Sequence, residues 1–181
     1  VGEVHDKLME IGAELVVQTV EDIFEESIEF RVQKSFVQGS EILKPAPKLT
    51  RELCHIDWNG KTKKIYNLIR GLSPYPAAFT ELTKDGKTTQ MKIFKTEKIT
   101  GDAFTEMLTA CGLTSAPAGT ILSDGRNYLA ITTADGAISV KELQLAGKKR
   151  MAVKDFLIGF REPMSYGTTQ GTSSQITDKQ N

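Results

Sequence analysis

The stretch that most constrains this chain is Trp58 to Ala78, WNGKTKKIYNLIRGLSPYPAA. After the polar turn Asn59-Gly60, Ile65, Leu68, Ile69 and Leu72 recur at helical spacing, while Lys61, Lys63, Lys64 and Asn67 fall outside that face. The spacing predicts a helix over 61–72. Pro74 and Pro76 lack the amide proton a helix needs and bias the residues before them away from it, so a stop and an extended exit are expected. From Ala78 the apolar period becomes two. Whatever this chain folds into must hand a helix over to a β-domain through a double-proline elbow.

Ahead of that hinge, Val4, Leu8, Ile11, Leu15, Val20, Ile23 and Phe24 predict an amphipathic helix over 3–28. The chain starts almost at that helix, without the polar residue that usually caps the first free amides. A linker with one short strand-like piece is expected over 31–50, where Gly39, Pro45 and Pro47 interrupt any period. Beyond the elbow, strands are expected at 78–82, 89–96, 119–123, 127–133 and 137–145. Along the second, Met91, Ile93 and Lys95 are placed opposite Gln90, Lys92 and Phe94. Asp85-Gly86, Asp124-Gly125 and Asp135-Gly136 mark the tight turns, since glycine accepts positive φ cheaply. Residues 101–116 read as an irregular connection with one helical turn around Phe104, Met107 and Leu108. A short closing helix runs from Met151 to Phe160. Five short strands joined by tight turns, with helices at the flanks, suit a small closed barrel better than a sandwich. The polar tail 163–181 has little to bury and reads as disordered.

Charge divides the chain more sharply than its total of zero suggests. Residues 1–41 carry 3 basic and 10 acidic side chains, a net of −7, whereas 42–100 carry 12 and 5, a net of +7. A local positive field of that kind attracts nucleic acid, and its competing reading is a solvated lysine-rich surface. No signal peptide is visible from Val1 to Glu10, where charges mix with apolar residues, and no apolar run reaches the ~18–20 residues a membrane helix needs. Cys54 and Cys111 are isolated and read as reduced thiols of a cytosolic protein. His5 and His55 lack companions at ligand spacing, so no metal site is expected. No nucleophile triad, phosphate loop or catalytic carboxylate pair is visible. Trp58 could stack on a base, but beside an amphipathic helix it more often plugs a seam, with Asp57 accepting a backbone hydrogen bond. Lys148-Lys149-Arg150 lies in a loop at a barrel rim, where barrels of this size meet nucleic acid. Three adjacent cations there cannot all find local salt bridges. Arg70 sits beside the elbow and could lock it through carbonyls.

Four blocks in order resemble methionyl-tRNA formyltransferases: Ala46-Pro47-Lys48-Leu49-Thr50, Ile56-Asp57-Trp58, Asn67-Leu68-Ile69-Arg70-Gly71-Leu72 and Pro74-Tyr75-Pro76-Ala77. Ala118-Gly119-Thr120-Ile121 and Leu145 to Met151 look like later landmarks of the same family. The resemblance spans about Gly2 to Arg161. It implies a mainly β fold with flanking helices: a small OB-like barrel over 51–162, a linker over 31–50, and over 1–30 the last helix of a truncated Rossmann-like catalytic domain. It further implies formyl transfer from 10-formyltetrahydrofolate to the methionine of initiator tRNA. The catalytic and cofactor-binding residues of the family would lie outside this chain, which is expected to be inactive alone. Lys48, Lys61, Lys63, Lys64, Lys148, Lys149 and Arg150 are the expected tRNA contacts. The missing catalytic domain, or a second copy pairing through the first helix, is the expected protein partner. Another folate-dependent formyltransferase or hydrolase, or a standalone nucleic-acid-binding barrel, are the competing assignments.

Overall fold

In the computed structural model, residues 1–30, 32, 46–84 and 87–159 are described. Most of the expected linker, the Asp85-Gly86 turn and the polar tail lie outside them. The chain divides into two units, Val1–Leu49 and Thr50–Asn181.

The first unit is dominated by helix α1, Gly2–Phe24. Val1 gives it no side-chain cap, as its sequence implies. It stops four residues before the expected 28. Ser27 donates its amide to the Asp22 carbonyl at 2.9 Å and Glu26 donates to Ile23 at 3.2 Å, with Glu26 at φ 56°. This doubled-back pair of bonds closes a helix at a left-handed residue. None of the side chains of α1 is buried, and its apolar stripe is exposed from 45% at Val20 to 83% at Phe24.

The second unit begins with a single helical turn, α2 (Arg51–Cys54), capped by the Thr50 hydroxyl accepting from the Leu53 amide at 3.4 Å. Cys54 ends this turn and is buried, with His55 as its extended C-cap. His55 then makes a parallel bridge to Phe79, and the Ile56 amide donates to the Phe79 carbonyl at 2.9 Å. Trp58 is 5% exposed and donates its indole N–H to the buried Thr80 hydroxyl at 3.0 Å. Asp57 accepts the Asn59 amide at 3.1 Å. The seam-plugging reading of this pair holds, and the indole has no face left for a base.

Helix α3 (Thr62–Leu72) buries Ile65, Ile69 and Leu72 on the expected face. Each fully buried aliphatic side chain contributes about 1.5–3 kcal/mol, enough to hold eleven residues that would be marginal as an isolated helix. The elbow is a turn rather than an extended exit. Ala77 donates to the Leu72 carbonyl at 2.9 Å, with Ala77 itself left-handed at φ 72°.

One six-stranded antiparallel sheet follows, in the order β1 (Ala78–Lys84), β2 (Lys87–Ile99), β5 (Gly136–Leu145), β4 (Leu129–Thr133), β3 (Ile121–Ser123), with β6 (Met151–Ala152) paired to β5. It curls into a half-barrel. Among the described residues no ladder joins β1 to β3, so the path stays open where a closed barrel was expected. The register of β2 on β5 shifts twice. Phe94 is the extra residue between Ile93↔Leu143 and Lys95↔Glu142, and Lys141 is the extra residue before Thr96↔Val140. A bulge inverts the pleat, so Met91, Ile93 and Thr96 are buried while Lys95 turns out, against its expected place beside Met91 and Ile93.

Around β4 and the first half of β5 both sheet faces are covered. Leu129, Ile131, Ile138, Val140 and Leu143 meet α3 and a short closing helix α5 (Val153–Ile158) in the main core. Ala130 and Ala137 face a second core with Leu108, Leu122 and Phe104. The second core exists because residues 102–110 form a full helix, α4 (Asp102–Ala110), where an irregular connection was expected. Its sequence DAFTEMLTA buries only Leu108 and starts from Gly101 without a side-chain cap, so it carries little periodic signal.

Candidate nucleic-acid interface

Lys61 is the N-cap of α3, and Lys63 and Lys64 occupy its first turn. All three are exposed. Cations at a helix N-terminus oppose its dipole, so these lysines weaken the helix that carries them. The compensation comes from far along the chain. Asp135, in the β4–β5 turn, accepts the Thr62 amide at 2.7 Å and the Thr62 hydroxyl at 2.8 Å. Thr133 in turn donates to the Thr62 hydroxyl at 2.7 Å. The Thr62 amide first, then its hydroxyl, hold the Asp135 carboxyl below the usual range, with Lys61 adding to the effect. Gly136 allows this approach. A β-carbon there would collide with the Ile99 carbonyl oxygen and come 2.9 Å from the Thr62 hydroxyl. Sequence reasoning read Asp135-Gly136 only as a turn, because nothing local marks a carboxylate that caps a helix 73 residues away.

Lys64 is among the residues that line a concavity of about 490 Å³ between α2 and α3, together with Leu53, His55, Asp57, Ile65 and Leu68. On the other side of α3, the Tyr66 ring carries two cations, Lys98 at 5.3 Å and Arg70 at 5.8 Å from its centroid. Arg70 also donates to the Asn67 side chain at 2.9 Å. Lys98 was not among the expected contacts, though its place in a lysine-rich strand was open to view.

The second basic position is the β5–β6 turn. Gly147 at φ 74°, the Lys148 backbone amide donating to the Leu145 carbonyl at 3.0 Å and the Gln144 side-chain amide donating to the Lys148 carbonyl at 2.8 Å fix its shape. Lys148 and Lys149 stand exposed. Arg150 does find a local salt bridge. It donates from Nε to Glu142 at 2.7 Å, and its guanidinium lies over Phe94 at 4.4 Å. Lys48 is exposed and belongs to the first unit. The α3 lysines are tied to the residue just before β5, whereas Lys148–Arg150 follow its far end. Ten residues of strand separate them, about 30 Å at ~3.3 Å per residue. A single polyanion touching both must bridge that length. Among the described residues no three His, Cys, Asp or Glu side chains converge on a metal position, and no helix is long and apolar enough to cross a membrane.

An antiparallel half-barrel with a helix led in from its N-terminal side, and cations gathered at both ends of its central strand, defines a class. Residues 48–161 match the family described as formyl transferase, C-terminal domain, and the chain belongs to that family. The curated relatives carry a more particular name. A methionyl-tRNA formyltransferase of Azobacteroides pseudotrichonymphae is 48% identical over 159 residues, covering 87% of this chain and 46% of that protein. Another from Parabacteroides distasonis is 42% identical, covering 90% of this chain and 47% of its own length. The chain thus spans about half the length of the curated relatives it matches. Among solved structures, HypX from Aquifex aeolicus shares the fold, with a TM-score of 0.54 at 18% identity over 81% of this chain and 23% of that one.

Proposed function

We propose that this chain is the C-terminal part of a methionyl-tRNA formyltransferase, and that its role is to hold initiator tRNA while the formyl group passes from 10-formyltetrahydrofolate to the methionine. The observation that carries this reading is the 48% identity over 159 residues to a protein of that name. The exposed lysines at the start of α3 and in the β5–β6 turn supply the positive surface such a substrate needs. Phosphate contacts release counterions, so affinity for tRNA should fall steeply with salt, by about 0.7–0.9 in the log–log slope per contact. Fluorescence titration across a salt series tests it. A Lys148→Ala, Lys149→Ala variant and a Lys61→Ala, Lys63→Ala, Lys64→Ala variant should each have a shallower slope than the chain itself. Lys154→Ala, on the exposed side of α5, should match the chain. Equal slopes throughout would reduce both positions to solvated surface.

The chain alone should leave methionyl-tRNA unformylated when supplied with the formyl donor, since the family it matches is the C-terminal domain. Turnover by the purified chain would overturn this. The exposed stripe of α1 fits a partner surface, either the other half of a formyltransferase or a second copy. Light scattering of the chain against a Leu8→Glu, Leu15→Glu variant separates pairing from solvation. A monomer in both cases removes the second copy.

A further inference from the structure

The outer face of β2 and β5, next to the β5–β6 turn, carries a cluster of polar side chains, of which Gln144 also braces the turn by donating its side-chain amide to the Lys148 carbonyl at 2.8 Å. Lys92 and Gln144 are cross-strand partners, and Gln90 is two residues from Lys92 on the same side. Directly opposed residues on one sheet face stand about 4.5–5.5 Å apart at Cβ. Together with the main chain of residues 145–147 they line a polar concavity of about 200 Å³. All three are half-buried. The Ala146 amide donates to the Gln90 carbonyl at 2.9 Å, which keeps the turn beside them.

Two residues beyond Lys92, the bulge sets Phe94 half-exposed on the sheet, where the Arg150 guanidinium covers it. Glu142 holds that guanidinium through two nitrogens, and the Arg150 side chain keeps 43% of its surface open. A guanidinium already paired with a carboxylate is a poor phosphate ligand, because its charge is neutralised. A fixed, flat, delocalised cation resting on an aromatic ring is instead a good stacking surface for a nucleobase. Bare lysine surfaces track phosphates; an anchored plane next to amide side chains and one half-buried lysine reads a base together with its phosphate.

We propose that this face is a subsite for an unpaired RNA nucleotide, with the base stacked on Arg150 over Phe94, its edge toward Gln144 and Gln90, and its phosphate on Lys92. The subsite rests on the reading that the chain binds tRNA, and places an unpaired nucleotide of it here. Arg150 thereby acts through its plane rather than its charge, unlike Lys148 and Lys149 beside it.

The test uses the whole chain with three probes: a ten-nucleotide single-stranded RNA, an abasic strand with the same number of phosphates, and a ten-base-pair RNA duplex. The chain should bind the base-bearing strand at least about fivefold tighter than the abasic one, the lower end for one stacked base. Arg150→Lys keeps the charge and removes the plane, so it should erase that preference and leave the salt slope unchanged. Phe94→Leu should do the same, and its unfolding midpoint shows whether the sheet is intact. Lys92→Gln should lower the slope by about 0.7, one phosphate of a single strand, with the preference for bases retained. Equal binding of the base-bearing and abasic strands, or an Arg150→Lys variant that retains the preference, overturns the subsite. If tRNA still binds with a steep salt slope in that case, only the subsite falls. If no RNA binds at low salt, the tRNA-holding role falls with it.

Discussion

Two turns flank β4, and both are written Asp-Gly, yet the two dipeptides do opposite work. In the β3–β4 turn, Asp124 serves its own loop. Its Oδ1 accepts the amides of Arg126, Asn127 and Tyr128 at 2.9, 2.7 and 3.1 Å, and Oδ2 accepts the Asn127 side chain at 2.7 Å. Gly125 is there for its backbone, at φ 70°, with open space where a β-carbon would go. In the β4–β5 turn, Asp135 makes its bonds to Thr62 at the start of α3. Gly136 is needed for its lack of volume, being wedged against Ile99, Thr62 and Thr100. The first turn is a closed local unit, while the second is a joint between helix and sheet. An identical dipeptide can therefore be demanded by conformation in one place and by crowding in another.

Substitutions should separate the two in a fixed order. Gly136→Ala drives a methyl into a backbone carbonyl in the core, and overpacking of that kind should cost about 3 kcal/mol in urea unfolding. A loss below about 1 kcal/mol would show that β5 can shift and that the joint is not tight. Asp135→Ala removes the cap of α3 and should cost about 1–2 kcal/mol, within the range for lost caps. Asp135→Asn keeps an acceptor oxygen and should recover most of it; no recovery would mean that charge opposite the α3 lysines matters more than the bond. Gly125→Ala meets no clash and should cost about 1 kcal/mol, the left-handed penalty alone. If it costs as much as Gly136→Ala, the contrast between the turns collapses.

The smallest expected effect is a pH dependence. Burial pushes the Asp124 carboxyl up, but the amides of Asn127 and Arg126, the Asn127 side chain and the Tyr128 amide outweigh it and hold it well below the usual range. A carboxyl with a depressed folded-state pKa contributes stability that is fully present above the unfolded value, near 3.9, and is lost as pH falls through the folded value. Asp124→Asn should therefore lose less stability than the natural chain between pH 4 and pH 2. The group is exposed, so solvent screening keeps the difference small. Identical acid profiles would show that the turn's hydrogen bonds do not depend on the charge.

Legibility followed the range of the interaction. The buried face of α3, the stop at Pro74, the places of β1 to β5 and the plug at Trp58 were readable, whereas β6 was not: Met151 and Ala152, expected to open the closing helix, pair with β5 instead, and the helix begins at Val153. α4 was missed because one buried leucine makes no stripe. The bulge at Phe94 was missed because it is a property of two strands in register, and it reversed the reading of Lys95. The cations were easy to locate as charges. Their partners were not: nothing near Arg150 in the sequence says that Glu142 and Phe94 will hold it, and nothing near Lys61 points to Asp135.

β5 has one further consequence, for the order in which the sheet can be assembled. β1 with β2 and β3 with β4 are local hairpins, able to close as soon as each is made. Among the described residues they pair with each other only through β5, which takes β2 along one edge and β4 and then β6 along the other. A nascent chain that has emerged only to residue 135 holds two hairpins and no common sheet, with apolar edges waiting. The arrival of ten residues, Gly136 to Leu145, turns those pieces into one structure. Assembly is thus governed by pairings across long sequence separations, the slow kind, and the interval before β5 emerges is when this chain is most exposed to mispairing.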